Sequence, residues 1–137
     1  MRNTIIDAGP LIALFDADDR YHTPVVDCIR EFRGKLVSTW PVITEAAHLL
    51  DFSVQTQLDF LEWIELGGVT LFDLRSHHLS EIRQIMDKYS DLPPDLADVT
   101  LLVAARELNI SEIISLDSDF LVYRTRDKKQ LVNLLNL

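Results

Sequence analysis

Apolar residues recur along this chain in two alternating patterns, which are short uninterrupted runs and longer stretches with helical spacing. The short runs predict strands at 3–6, 35–39, 69–74, 111–117 and, near the end, 130–135. The longer stretches predict helices at 11–17, 23–33, 41–52, 55–66, 76–89 and within 93–109. Strands that alternate with helices predict an α/β fold, in which a mainly parallel sheet of four or five strands is flanked by helices.

No repeat, low-complexity tract or linker interrupts this alternation, so one domain is expected over 1–137. Polar residues and glycines mark the ends of several helices. Ser76 is expected to be the N-cap of the helix that follows it. Gly67 and Gly68 close the helix predicted at 55–66.

Two of the predicted strands end at an aspartate. Asp7 ends the run NTIID, and Asp117 ends the run SEIISLD. In a parallel sheet the carboxyl ends of the strands meet at one edge, which is where α/β proteins form their sites. Each aspartate alone is also an ordinary turn residue, so the indication of a site comes from their shared position.

Three further acids open or line helices that could face the same edge. Asp95 and Asp98 lie three residues apart at the start of a very apolar helix, where they are also suited to form a capping box. Glu45 lies at the margin of the apolar face of PVITEAAHLL. Clustered carboxylates repel one another, so such a cluster requires a cation, and hard oxygen ligands suit Mg²⁺ or Mn²⁺.

The formal net charge of −9 changes the expected mode of substrate binding. A chain this acidic does not hold a polyanion by bulk charge, so a bound cation or a local basic patch must supply positive charge. The segment YRTRDKK concentrates four basic residues after the last acids. They are Arg124, Arg126, Lys128 and Lys129. A solvated loop is the plainer interpretation of this segment, and a patch that steers phosphates beside the acids is the functional alternative.

Several classes of function are excluded because a required residue is absent. A haloacid-dehalogenase-like phosphatase needs a second aspartate two residues after the first, and Gly9 occupies that position. A receiver domain needs a lysine after a late strand, and IISLDSDF has none. No glycine-rich nucleotide motif occurs. His77 and His78 are adjacent rather than four apart, so they are expected to be surface residues and not zinc ligands.

The N-terminus and the cysteine content predict a cytoplasmic protein without a membrane partner. Asp7 interrupts the N-terminus where an export signal needs an apolar core. No apolar run approaches the roughly 20 residues that span a bilayer. The single Cys28 excludes an internal disulfide, which fits a reducing compartment.

Four segments together resemble the PIN-domain nucleases, and within them the VapC-like toxin ribonucleases. The segments are IIDAGPLIALFDADDRYH, PVITEAAHLL, DLADVTLLVAARE and IISLDSDFLVYR, and their order and spacing cover nearly the whole chain. The resemblance implies a PIN-like, three-layer α/β/α fold and Mg²⁺- or Mn²⁺-dependent hydrolysis of RNA phosphodiester bonds. It also implies the toxin of a type II toxin–antitoxin pair. A solitary RNA-processing nuclease and a non-catalytic module that binds RNA or protein stay open as alternatives.

Carried over position by position, the resemblance implies a catalytic site of four acids. The four are Asp7, Glu45, Asp98 and Asp117. Of these, Asp7, Asp98 and Asp117 would hold the metal ion. Asp95 and Asp119 lie where such proteins often have accessory acids. Asp117 and Asp119 compete for the fourth position, and Asp117 is preferred because it ends the predicted strand.

The segment LDFLEWIEL carries more apolar residues than one helical face needs. The surplus predicts a partner surface, which would accept a second copy of the chain in a homodimer or a peptide of a small antitoxin. Burial of both faces within the monomer is the alternative.

Overall fold

A five-stranded sheet organises the protein in a computed structural model that describes residues 2–135. The strands are β1 (Asn3–Ile6), β2 (Lys35–Ser38), β3 (Thr70–Leu71), β4 (Glu112–Ile114) and β5 (Val132–Asn133). Their order is β3-β2-β1-β4-β5, and every neighbouring pair is parallel. The predicted fold class is therefore confirmed, including the fifth strand.

Six α-helices connect and flank the strands within the described residues. They are α1 (Ala8–Phe15), α2 (His22–Glu31), α3 (Trp40–Leu49), α4 (Val54–Glu65), α5 (Leu79–Lys88) and α6 (Leu96–Leu108). Two short 3-10 helices cover Ser76–His78 and Ser118–Leu121. None of the described helices is both long and apolar enough to cross a membrane.

Helix α6 forms the centre of the core. All nine residues from Ala97 to Ala105 are buried, so this helix is enclosed on every side. A helix that is apolar all round is stable only in such a position, because each of its faces needs another element to cover it. Its interior location fixes its first turn relative to β1, which it contacts.

The strand order places a topological switch point between β1 and β4. From β1 the chain builds outwards through β2 to β3 on one side, and then returns to add β4 and β5 on the other side. Parallel sheets of this kind form their sites in the crevice outside the carboxyl ends of the strands at such a point. The residues that follow β1 and β4 are therefore the first to consider.

Three local predictions were wrong, two about the length of a strand and one about an N-cap. Strand β3 has only two paired residues instead of the run 69–74, since it is an edge strand beside the short β2. Strand β4 ends before Ser115, whose backbone N–H is bonded to Asn133 Oδ1. Ser76 lies inside the 3-10 turn, and Arg75 is its N-cap.

Candidate active site

Five of the predicted acids line one cavity of about 400 Å³ at the carboxyl ends of β1 and β4. They are Asp7, Glu45, Asp95, Asp98 and Asp117. Gly9 and Leu116 complete much of the wall. Asp119 is not among the lining residues, although its N–H donates to Asp117 Oδ1 at 2.9 Å. The structure thus brings together the acids that were predicted from separate parts of the sequence.

Asp7 enters the cavity directly from the end of β1. Its backbone N–H donates to Ile114 O at 3.1 Å, which continues the pairing with β4. Asp7 Oδ1 accepts the N–H of Ala8 at 2.8 Å and so caps α1. The side chain is buried, and burial raises the pKa of Asp7 to about 6. Hydrogen bonds oppose this rise, while the nearby charges of Glu45 and Asp117 add to it.

Ser115 connects two of the acids, and sequence reasoning missed it. It is 1% exposed, and its hydroxyl donates to Asp7 Oδ2 at 3.1 Å. The hydroxyl oxygen of Ser115 also accepts the N–H of Asp117, at 2.9 Å. One hydroxyl therefore fixes both the orientation of Asp7 and the turn that carries Asp117. The available signal was a small hydroxyl residue two positions before an aspartate at the end of an apolar run.

Asp95 and Asp98 form the reciprocal capping box that their spacing predicted, and both also face the cavity. Asp95 Oδ1 accepts the N–H of Asp98 at 2.9 Å, and Asp98 Oδ2 accepts the N–H of Asp95 at 3.3 Å. Burial, followed by the charges of Asp7 and Asp95, raises the pKa of Asp98 to about 8. Helix capping and a functional role are therefore compatible at these positions.

Glu45 reaches the cavity from α3 and differs from the others in its surroundings. It is half-buried, and the structure gives it no hydrogen bond from within residues 2–135. Burial and then the charge of Asp95 raise its pKa. This carboxylate is therefore held by fewer hydrogen bonds than those of Asp7 and Asp98.

The donor set of the cavity fits a hard divalent cation. Among the described residues, no lysine, arginine or histidine lines the cavity. Three of its carboxyl groups, those of Asp7, Glu45 and Asp98, have raised pKa values because burial and neighbouring carboxylates disfavour their charge. A divalent cation bound to carboxylate oxygens would remove this repulsion, and such ligands are the ones that Mg²⁺ and Mn²⁺ prefer.

A second group of metal-binding residue types lies elsewhere. Within residues 2–135, the only trio whose ligand atoms all lie within 4.8 Å of one another is His77, His78 and Glu107. The carboxylates of the acid cavity are therefore spaced more widely than this trio. The prediction that both histidines lie at the surface was wrong for His78, which is 3% exposed. Its Nδ1 accepts the N–H of Arg75 at 2.9 Å, and its Nε2 lies 2.9 Å from Glu107 Oε1.

This arrangement does not suit a cation. A neutral imidazole has one lone pair, which His78 already uses at Nδ1. Its Nε2 therefore carries the proton that is donated to Glu107, and no lone pair remains for a metal. We interpret the group as a structural network that holds the 3-10 turn against α6.

Three of the four basic residues in YRTRDKK are engaged within the chain. Arg124 donates to the carbonyl oxygens of 121–123. Arg126 lies 3.9 Å from Glu81. Lys129 contacts Asn109 and Asp127. The contacts of Arg126 and Lys129 lie near the C-terminal end of α6, whereas Asp98 is in its first turn. Eight residues of helix separate Asp98 from Arg106, which is about 12 Å. These two side chains therefore lie away from the acid cavity.

The metal-free protein should lose stability as the pH rises. Asp98 ionises near its usual pKa of 3.8 when unfolded but holds its proton until about 8 when folded. The folded state binds more protons between these values, so this contribution to the free energy of unfolding is complete below about pH 4 and is lost by about pH 8. Urea unfolding in EDTA at several pH values measures the decline. It should be shallower in an Asp98→Asn variant, because asparagine has no proton to hold.

Comparison with known proteins gives one family and a consistent fold. The sequence model of the PIN domain family matches residues 4–125. Ribonuclease VapC26 of Mycobacterium tuberculosis is 29% identical over 115 residues, which are 82% of this chain and 85% of the relative.

Two crystal structures have a similar fold. Mycobacterium tuberculosis VapC20, a sarcin-ricin loop cleaving toxin, has a TM-score of 0.76 at 15% identity over 85% of this chain and 91% of that chain. VapBC2 from Rickettsia felis, bound to a DNA fragment from their promoter, has a TM-score of 0.63 at 10% identity over 96% of both chains.

Proposed function

This chain belongs to the PIN domain family, and from that premise we propose that it is a metal-dependent ribonuclease, the toxin of a type II toxin–antitoxin pair. The observation that carries the proposal is the convergence of five carboxylates in one cavity at the switch point of the sheet. The name of the relative VapC26, a ribonuclease, supports RNA as the substrate. The proposed location is the cytoplasm.

In this proposal, Asp7, Asp98 and Asp117 hold the cation, and Asp95 supports them from the edge of the cavity. A bound Mg²⁺ or Mn²⁺ would polarise the RNA phosphate and lower the pKa of a water molecule. The hydroxyl of Ser115 keeps Asp7 and the Asp117 turn in a fixed relation. The buried first turn of α6 keeps Asp98 in place.

We assign the proton transfer to Glu45. It lines the cavity, is half-buried, and has a raised pKa. A carboxylate of this kind can accept a proton from the attacking water, and general bases of this kind contribute typically about 10²–10⁴-fold to a rate. The other acids are occupied by capping and hydrogen bonds, whereas Glu45 is available for this step.

Purified protein, freed of any co-purifying partner, should cleave single-stranded RNA in Mn²⁺ or Mg²⁺ and not in excess EDTA. The cavity cannot approach a phosphate without a cation, because its carboxylates would repel the negative charge. Gel analysis of a labelled RNA measures the products, and restoring the metal after EDTA is the control. Calorimetry that detects no Mn²⁺ binding, together with no cleavage, would favour a non-catalytic binding module instead.

A protein partner is supported by the exposed face of α4. Phe60 is buried, but Leu58 and Leu61 on the same helix are 54% and 42% exposed, beside a 60% exposed Trp40. Trp40, Leu58 and Leu61 line a cavity of about 690 Å³. The alternative of two-sided burial within the chain therefore does not hold for Leu58 and Leu61.

We propose a small antitoxin as the occupant of this face, and a second copy of the chain as the competing one. The VapBC2 structure, solved on DNA from their promoter, supports a pair of this kind. A neighbouring reading frame for a small DNA-binding protein would support the toxin role. Its absence would favour a solitary RNA-processing enzyme. Light scattering of the purified chain tests the homodimer.

A further inference from the structure

A second cavity, of about 590 Å³, lies directly behind the acid cavity. The two cavities share Leu116 and Asp117, so these residues form the wall between them. Tyr21 and the exposed side chain of Leu121 are among its lining residues. Asp117 is the only charged residue that lines it within the described part of the chain. The cavity is therefore a largely uncharged space that opens beside the acids.

Arg20 does not line this cavity, but it supplies a positive charge next to Tyr21, which does. Its guanidinium carbon lies 4.7 Å from the centre of the Tyr21 ring. Within residues 2–135, no carboxylate lies within 4.0 Å of Arg20. This sets it apart from Arg124, Arg126 and Lys129, which are engaged within the chain.

Two of the three aspartates that precede Arg20 are directed into their own turn, and Asp18 is the exposed exception. Asp16 Oδ1 accepts the N–H of Asp18 at 3.1 Å, and Asp19 Oδ1 accepts the N–H of Tyr21 at 2.8 Å. Both carboxylates are thereby used to shape the segment that presents Tyr21 and Arg20. The guanidinium remains available for an external anion, and its stack on Tyr21 orients it.

These features together match an unpaired nucleotide. The volume lies within the range of about 300–1,000 Å³ that small-molecule sites occupy. Single-stranded RNA is recognised through splayed bases that pack on aromatic rings and guanidinium planes. An acidic chain gains more from contact with the neutral base than from contact with the phosphate backbone, because only the backbone is repelled by its net charge.

We propose that the cavity behind Asp117 is a nucleotide subsite, in which a base adjacent to the cleaved phosphate packs beside Tyr21 and Leu121 while Arg20 contacts its phosphate. This inference rests on the proposed ribonuclease function for the identity of the ligand. It makes Arg20, Tyr21 and Leu121 determinants of which sequence is cut. The acid cavity then performs the reaction on whatever nucleotide this subsite has accepted.

Binding of the four nucleoside 5′-monophosphates in EDTA tests the subsite without cleavage. Without a cation the acid cavity repels a phosphate, so binding in EDTA reports the second cavity. At least one monophosphate should bind with millimolar affinity, and Arg20→Gln and Leu121→Ala should each weaken it about tenfold. Arg30→Gln and Leu79→Ala are matched exposed controls that should not. If none of the four monophosphates binds, the proposal is overturned.

Digestion of a random-sequence RNA pool in Mn²⁺ tests the same residues during cleavage. Sequencing of the product ends should reveal a base preference at one position beside the cut, and Leu121→Ala should flatten it while the Leu79→Ala control keeps it. Monophosphate binding without cleavage of the pool would leave the subsite standing and refute the ribonuclease. If the pool is cleaved but shows no base preference, or one that Leu121→Ala leaves unchanged, the subsite is refuted and the ribonuclease stands.

Discussion

Asp98→Asn should lower metal-dependent RNA cleavage by roughly 100-fold or more and leave the metal-free protein at least as stable as the parent. Asparagine cannot supply the negative charge that a hard cation favours. The same loss of charge relieves the repulsion from Asp7 and Asp95 that raises the pKa of this group. The amide oxygen can still accept the N–H of Asp95, so the cap of α6 is kept.

Thermal melts with and without Mn²⁺, together with single-turnover cleavage, measure both effects. Mn²⁺ should stabilise the parent by mass action and should no longer stabilise the variant. Asp87→Asn, an exposed aspartate on α5, is the matched control. An Asp98→Asn protein that cleaves near the parent rate, with an undiminished Mn²⁺ shift, would leave Asp98 as a helix cap and nothing more.

Glu81→Ala should destabilise the protein by about 3 kcal/mol and lower its melting temperature by roughly 10 °C. Glu81 is 3% exposed and accepts two hydrogen bonds from Arg106, at 2.6 and 2.7 Å. The pair joins α5 to the last turn of α6. Removing the carboxylate leaves a partly buried guanidinium without its partner, which costs far more than losing a surface ion pair.

Urea unfolding of Glu81→Ala and of the Arg126→Ala control separates the two ion pairs of this site. Arg126 is half-exposed and 3.9 Å from Glu81, so its removal should cost at most about 1 kcal/mol. The Glu81 variant should keep metal-dependent cleavage at temperatures where it is folded. A loss below about 1 kcal/mol for Glu81→Ala would mean that water replaces the pair without penalty.

The parts of the site that were predictable from sequence are those with a local signature. Asp7 follows an apolar strand before a Gly-Pro turn, and Asp95 and Asp98 have the spacing of a capping box. Because all strands are parallel, their carboxyl ends had to meet, which placed Asp7 and the Asp117 turn at one edge without any knowledge of the other contacts.

The parts that sequence reasoning missed depend on partners far along the chain. Ser115 matters because its hydroxyl reaches Asp7, 108 residues away in sequence. His78 is buried because Glu107 and Arg75 satisfy both of its ring nitrogens. Arg126 lies 3.9 Å from Glu81, which is 45 residues away in sequence. No periodicity reports such pairs, so polar residues that looked free in the sequence proved to be engaged.

The location of Asp98 on the innermost helix has a consequence for how such a centre is controlled. The N–H groups of Asp98 and Val99 are bonded to the carboxylate and the carbonyl of Asp95, at 2.9 and 3.2 Å. Buried, hydrogen-bonded amides exchange with solvent deuterium more slowly than exposed ones. We therefore expect slow exchange for the amides of Asp98 and Val99, which are 8% and 0% exposed. An inhibitor of this protein must shield the catalytic crevice from outside, since dismantling it would mean unfolding the chain.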